Sequence, residues 1–288
     1  MMNEDDYPAL YQSANTLSGE AQQKFFIALF SNLFALVLAA ILSVYNIPIQ
    51  GMAYAQTIIL LISLGCTIYI GACSPEKTWY GARALAESTK TITWRYMMRA
   101  EPYDTPDPIA KSYFLNVLSK LIDENKEISK QSLLTENWAQ ISSVMENIRM
   151  SSLQTRIDYY QQYRVEEQLT WYVKKASYNK NRAKFFFVAL CVVNLLAVIY
   201  SFVKIQSPEI QFCPTDIFVA LAGAIMAWTQ AKRHQELSAS YTITAQDVGL
   251  VREMLSLIAS ENEFSDFVGD SENAFSREHT QWLARRDS

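Results

Sequence analysis

Histidine and cysteine carry most acid–base, nucleophilic and metal chemistry in proteins, and this chain holds few of either. Its only histidines, His234 and His279, sit among polar helix and tail residues. Cys66, Cys73, Cys191 and Cys213 lie in or beside apolar runs, at spacings that fit neither a zinc site nor a disulfide framework. They read as small apolar filler. No nucleophile elbow or phosphate-binding motif is present. The expectation is a protein that is not an enzyme and uses no metal or cofactor.

The polar residues that stand out are placed where polarity is expensive. Asn32 and Asn194 lie inside apolar runs, and Gln56 lies near the end of one. An amide there can bond across helices, or it can line a water path that opens on oligomerisation; both readings stand. Small residues recur beside them: Ser31, Ala35, Ala39 and Ser43 at four-residue spacing, then Ser63, Thr67 and Gly71, then Ala220 with Ala224 and Gly223 with Ala227. Such stripes let helix backbones approach closely in lipid, either within one chain or between protomers.

Four apolar runs position these residues: 25–45, 52–73, 185–203 and about 212–231. They form two close pairs, joined by 46–51 and by the stretch around 204–211. Runs of about 18 or more apolar residues can cross a hydrocarbon layer of ~30 Å as helix. No Asp, Glu, Lys, Arg or His occurs in 25–45, 52–73, 185–203 or 217–231. That absence counts against pumps and ion-coupled carriers. The fourth run is the weakest, being rich in Ala and Gly and starting beside Asp216. The acidic, polar N-terminal stretch lacks the basic region of a signal peptide, so the first run is expected to be a retained membrane helix.

Cations decide sidedness. The two short turns carry only Lys204. The other flanks carry Lys24, then Lys77, Arg83, Lys90, Arg95 and Arg99, then Lys174, Lys175, Lys180, Arg182 and Lys184, and finally Lys232 and Arg233. Both termini and the central segment are expected in the cytoplasm. With a net charge of -4, nonspecific nucleic-acid binding is not expected. Mean hydropathy is only -0.01 because apolar spans alternate with charged helical stretches. Glycine and proline number 8 each, which disfavours β-rich folds and Gly-rich phosphate loops.

The two halves repeat. Lys24-Phe25-Phe26 and Lys184-Phe185-Phe186 lead into a span. Trp79, Ala82, Arg83 and Glu87 follow one pair, as Trp228, Ala231, Lys232 and Glu236 follow the other. The pattern predicts that helices continue past the spans, with a single helix of ~50 residues, or ~75 Å, from Ser152 to Val203. Between the halves, Asp107-Pro108 reads as N-cap and N1 of an amphipathic helix, and a second short helix is expected over 136–148. Trp79, Arg83, Glu87, Trp94, Arg156, Arg164, Gln168 and Trp171 are the candidates for coupling a cytoplasmic signal to the spans. Among the charges Arg83, Glu87, Arg95, Arg156, Arg164 and Glu167, solvated faces are the default and pairing between long helices the alternative. After Ser265 the tail is polar and acidic, with Phe267, Phe275 and Trp282 as isolated anchors.

Tyr7-Pro8-Ala9-Leu10-Tyr11 with Ser18 and Gln22, and Trp79, Arg83, Glu87, Lys90 and Trp94-Arg95-Tyr96, resemble a SLATT module. Arg156-Ile157, Tyr160, Arg164, Gln168, Trp171-Tyr172, Lys175-Ala176 and Asn179, with Tyr241 and Thr244-Ala245, are similar to a second SLATT type. The resemblance spans the chain apart from 101–150 and the tail. It implies two-span membrane effectors of bacterial nucleotide-signalling defence systems, proposed to breach the membrane when triggered. The expected architecture is an all-α membrane protein with four transmembrane helices. These form two hairpins whose long helices extend into a cytoplasmic helical bundle. Residues 1–103 and 151–265 form the two SLATT-like hairpins, 104–150 a helical connection and 266–288 a polar tail. Expected partners are the lipid bilayer, further copies of the chain, and a cytoplasmic sensor protein or nucleotide signal, at the bacterial inner membrane. A scaffold or sensor subunit that recruits a cytoplasmic partner without leak is the alternative.

Overall fold

The computed structural model describes residues 2–45, 50–131, 139–207, 209, 212 and 214–287, with the side chains of 45, 50 and 276–287 outside the description. All regular structure among the described residues is helical. The helices are α1 (Ala9–Tyr45), α2 (Gln50–Cys73), α3 (Pro75–Met98), α4 (Asp107–Glu124), α5 (Lys126–Ser129), α6 (Ser143–Arg149), α7 (Leu153–Tyr160), α8 (Glu166–Gln206), α9 (Thr215–Lys232), α10 (His234–Leu255) and α11 (Glu261–Asp287). A π-turn, Gln161–Val165, links α7 to α8.

Three helical stretches are long and apolar enough to cross a membrane: Ala9–Val44, Gly51–Cys73 and Leu153–Gln206. Their apolar windows are almost wholly unburied by protein, down to 0% in Leu153–Gln206. Phe34, Leu61, Phe187 and Val198 stand exposed on them, as side chains solvated by lipid would. The fourth expected run forms α9 but is not among the three. Its 18 residues carry Asp216, Gln230 and Lys232 near the ends and Ala220, Ala222, Gly223, Ala224 and Ala227 between. The first turn and Cys213 fall largely or wholly outside the described residues. The third span runs past Val203 to Gln206.

Two expectations of unbroken helix fail, each for a local reason. At the end of α2, Ser74 turns left-handed (φ 43°) and Pro75 opens α3. Proline disfavours helical backbone in the residue before it and brings no N–H. Between α9 and α10, Arg233 is left-handed (φ 49°). The predicted helix of ~50 residues runs unbroken from Leu153 to Gln206, with the π-turn inside it.

The chain divides into two compact units. One comprises Met1–Gln22, Pro75–Lys174 and Tyr241–Ser288; the other comprises Gln23–Ser74 and Lys175–Ser240. In the first, α3 is buried almost all round, through Trp79, Tyr80, Ala82, Leu85, Ala86, Trp94, Tyr96, Met97 and Met98. A helix buried on most of its faces belongs at the centre of a bundle. Against it pack α11, α4 and α6. The expected polar tail is therefore a structured helix, with Phe264, Val268 and Phe275 buried at helical spacing. Phe267 is half-buried, and the side chain of Trp282 lies outside the described residues.

The connection also departs from expectation. Pro106, not Asp107, is the N-cap of α4, and the Asp107 carboxylate instead accepts from Arg149 Nε at 2.8 Å. The second short helix starts at Ser143, capped by Ser142 Oγ, which accepts from the Met145 amide. Upstream, Ala139 O and Gln140 Oε1 accept from the first amides of α1, those of Ala9 and Leu10. That role holds 139–142 outside a helix, since those helix-end amides need acceptors. Residues 132–138 of the expected helix lie outside the description.

Candidate functional site

The most tightly built polar constellation of the first unit centres on Arg164, inside the π-turn. π-Turns insert one residue into a helix and re-aim the side chains that follow, commonly at functional positions. Arg164 Nε and Nη2 donate to Glu272 Oε1 and Oε2 at 2.8 and 2.6 Å, a two-pronged pair. Both side chains are buried, 2% and 0% exposed. The Tyr160 hydroxyl donates to Glu272 Oε1 at 3.0 Å. The guanidinium lies 5.1 Å from the Phe275 ring centre and 5.9 Å from that of Trp94. Arg164 Nη1 is buried with no hydrogen-bond partner. Removing two charges from water costs several kcal/mol each, and their mutual attraction and hydrogen bonds offset that only while both partners stay in place.

Further arginines stitch α11 onto the same core. Arg156 donates to Met98 O at 2.8 Å and pairs with Glu261 at the start of α11. Arg95 donates to Gly269 O at 2.9 Å and Asn273 Oδ1 at 2.6 Å. The Glu101 amide donates to Ser265 Oγ. Helix α11 opens with a capping box: Glu263 accepts from the Ala259 and Ser260 amides, and Ser260 Oγ accepts from the Glu263 amide. Nearby, Arg149 stacks 4.7 Å from the Tyr96 ring and donates to the carbonyls of Tyr96, Tyr103 and Thr105. It holds the turn between α3 and α4.

The Tyr7 hydroxyl ties the N-terminal segment to this core. Trp94 Nε1 donates to the Tyr7 hydroxyl at 3.1 Å, and Lys90 Nζ sits 5.8 Å from the Tyr7 ring centre. Burial raises the Tyr7 pKa above the usual phenol range. Burial, and then the Arg164 charge, lower that of Lys90.

The structure gathers part of the expected coupling set. Trp94, Arg156 and Arg164 meet around α11. Arg83 pairs instead with Glu87 on its own helix and reaches Asn15. Trp79 is buried against Tyr80. Trp171 packs edge-on to Tyr241 at 5.3 Å, and Gln168 is half-buried. The default of solvated charges is wrong for Arg156 and Arg164, which are buried. Of their acidic partners, Glu261 comes from the end of the stretch read as the second hairpin and Glu272 from the stretch read as a tail.

In the second unit, Ser63 Oγ donates to Asn32 Oδ1 at 2.6 Å, bridging α1 and α2. Gln56 Nε2 reaches Ala39 O at 3.4 Å. Ala35 is buried and Ser31 half-buried. Asn194 donates to Leu190 O of its own helix and is exposed. Among the described residues, nothing lies within 4 Å of a Cβ built on Gly223. His234, which sits among polar helix residues in the sequence, is buried: its Nδ1 lies 2.7 Å from Asn179 Oδ1 and its ring stacks on Phe186. Because Asn179 Nδ2 donates to Lys175 O, its Oδ1 faces the imidazole and Nδ1 carries the proton. Burial, then Lys232 and Arg182, hold His234 below its ordinary pKa.

Glu272, Glu261 and Arg149 escaped the sequence reading. The Phe264, Val268 and Phe275 spacing was the available signal for a packed helix around Glu272. Arg149 had no such signal, because its partners are backbone carbonyls.

Among the described residues the chain is all-helical, and its unburied apolar helices, long enough to cross a bilayer, define it as a membrane protein. Family profiles define it further. That of the SMODS and SLOG-associating 2TM effector domain 3 matches residues 8–157, and that of effector domain 1 matches residues 160–282. The chain belongs to the SLATT family and carries two such domains in tandem. SLATT domains are two-span effector domains associated with defence systems. Neither the curated proteins nor the solved structures contain a match to this chain.

Proposed function

We propose that the protein is an oligomeric effector of a bacterial anti-phage defence system that opens a pore in, or otherwise disrupts, the inner membrane when triggered. The observation that carries this reading is the tandem of two-span effector domains whose apolar helices are left almost unburied by the chain itself. In this reading α9 is a fourth span, stabilised by neighbouring helices because its own composition is marginal. The spans form two hairpins, and the cationic flanks keep both termini in the cytoplasm. The trigger is a cytoplasmic sensor protein or a nucleotide signal acting on the helical body. A signal that separates α11 from Arg164 frees the π-turn, which is continuous with α8 and so with the third span. Asn32, Ser31, Ala35, Gln56, Asn194 and Gly223 are the candidate pore-lining or helix-contact residues.

The alternative, a scaffold that recruits a cytoplasmic partner without leak, draws on α4, where Ile109, Tyr113 and Leu115 are exposed. Controlled expression in bacteria separates the two. Under activating conditions the pore reading expects loss of membrane potential and release of small dyes. An intact potential with a stably captured partner supports the scaffold.

A further inference from the structure

From Gln168 to Pro208 the sequence contains no acidic residue, and Lys174, Lys175, Lys180, Arg182 and Lys184 crowd its first half. Within the second unit, α1, α8, α9 and the start of α10 converge beside this cluster. Phe26 of α1 packs against Trp228 of α9, ring centres 5.7 Å apart. Lys232 Nζ lies 3.2 Å from the centre of the Phe26 ring and 5.1 Å from that of Trp228. His234 stacks on Phe186 of α8, and the Arg182 and Lys232 charges both act on it. The cations of α8 and the aromatic-bedded lysine of α9 therefore ring one end of the unit. Lys180, Arg182 and Lys184 are exposed, and Arg182 lies 5.3 Å from the Tyr178 ring centre. The acid at this end, Glu236, faces Arg233 at 3.7 Å.

We infer that this ring binds the headgroups of anionic phospholipids. Tryptophan and phenylalanine at the end of an apolar helix settle at headgroup depth, where lysine and arginine extend their charge towards the phosphate layer. Four or more cations flanking a span on one side concentrate anionic lipid around it. Lys180, Arg182 and Lys184 are exposed, and Lys232 is held in place by two aromatic rings. The ring thus presents fixed positive charge against a hydrophobic edge, the complement of a phosphate on an acyl chain and not of a free anion. The inference rests on the reading that the second unit lies in a bilayer.

The test uses the full-length protein in phosphatidylcholine vesicles. A minor fraction is replaced by either phosphatidylglycerol or phosphatidylcholine brominated on the acyl chain near the headgroup. Bromine quenches tryptophan on contact, and Trp228→Phe identifies the part of the signal that belongs to the ring. At equal mole fraction, the brominated anionic lipid is expected to quench Trp228 about twofold more than the neutral one, a preference screened by salt. It should fall to parity in K180Q/R182Q/K184Q and persist in millimolar inorganic phosphate. Equal quenching by the two lipids overturns the inference while leaving the membrane reading intact. A preference that survives the triple substitution overturns the assignment to these residues, and one abolished by inorganic phosphate assigns the ring to free anions instead. Quenching by neither lipid removes the bilayer placement and the proposed function with it.

Discussion

Glu272, near the end of the chain, accepts both hydrogen bonds of the Arg164 fork, although 108 residues separate the two in sequence. The pair is buried, so its members cannot be removed independently. Glu272→Gln leaves a guanidinium charge without a counter-ion. It should destabilise the helical body by about 3–5 kcal/mol. Arg164→Met combined with Glu272→Leu should recover most of that loss, because apolar residues of similar volume remove the desolvation cost as well as the attraction. Denaturant titration in detergent micelles, followed by helical circular dichroism, reads both variants. A single substitution as stable as the parent would mean that α11 is not clamped as described.

Arg149 acts by geometry as much as by charge. Three backbone carbonyls and Asp107 converge on its fork. A lysine offers a single point of charge and cannot span them. Arg149→Lys should therefore loosen the 99–107 turn while leaving net charge unchanged. Limited proteolysis is expected to cut the variant in this turn many times faster than the parent. Equal cleavage rates would count against the clamp.

The capping box of α11 gives a pH dependence. Hydrogen bonds from the Ala259 amide and then from Ser260 hold the Glu263 carboxyl below its ordinary pKa. A depressed carboxyl contributes stability that is present above its unfolded-state pKa and is lost as pH falls through its folded-state pKa. Protection of the first-turn amides of α11, corrected for their intrinsic exchange rates, should therefore fall as the solution is acidified below the ordinary carboxylate range. In Glu263→Gln that acid-dependent step should vanish. An unchanged exchange profile in the variant would refute the cap's role.

In the membrane segments, Asn32 and Asn194 should behave differently. Asn32 bonds to Ser63 of another helix, whereas Asn194 bonds to its own turn. Asn32→Leu should cost ~0.6–2 kcal/mol of helix association, and Ser63→Ala should add little in the double variant. Asn194→Leu should leave folding unchanged. Both substitutions should reduce triggered leak if these amides line the water path. Unaltered dye release from either variant removes that residue from the pore.

The spans were legible because composition alone separates charge-free apolar runs from their surroundings. The three strongest runs reappear within α1, α2 and α8, and the helix ends at Tyr45, Gln50, Cys73 and Gln206 fall within a few residues of those expected. The break at Ser74 was also written in the sequence, in Pro75, but a continuous periodic pattern on both sides masked it. The left-handed turn at Arg233 had no comparable marker. Arg164 and Trp94 were picked out by their place in a family pattern. Their common partner helix was not, because α11 is polar on most faces and a buried glutamate looks like a solvated one until its arginine is placed beside it. The π-turn is likewise invisible to periodicity, since one inserted residue shifts the phase without breaking the helix.

The central claim is that assembled copies of this chain make the membrane permeable. Reconstituting size-resolved oligomers and monomers into dye-loaded liposomes tests it directly. The account predicts that the oligomer fraction releases small dyes and retains large dextrans, while monomers release neither. Oligomers that insert stably, resist carbonate extraction and leave every dye inside would contradict it and favour the scaffold.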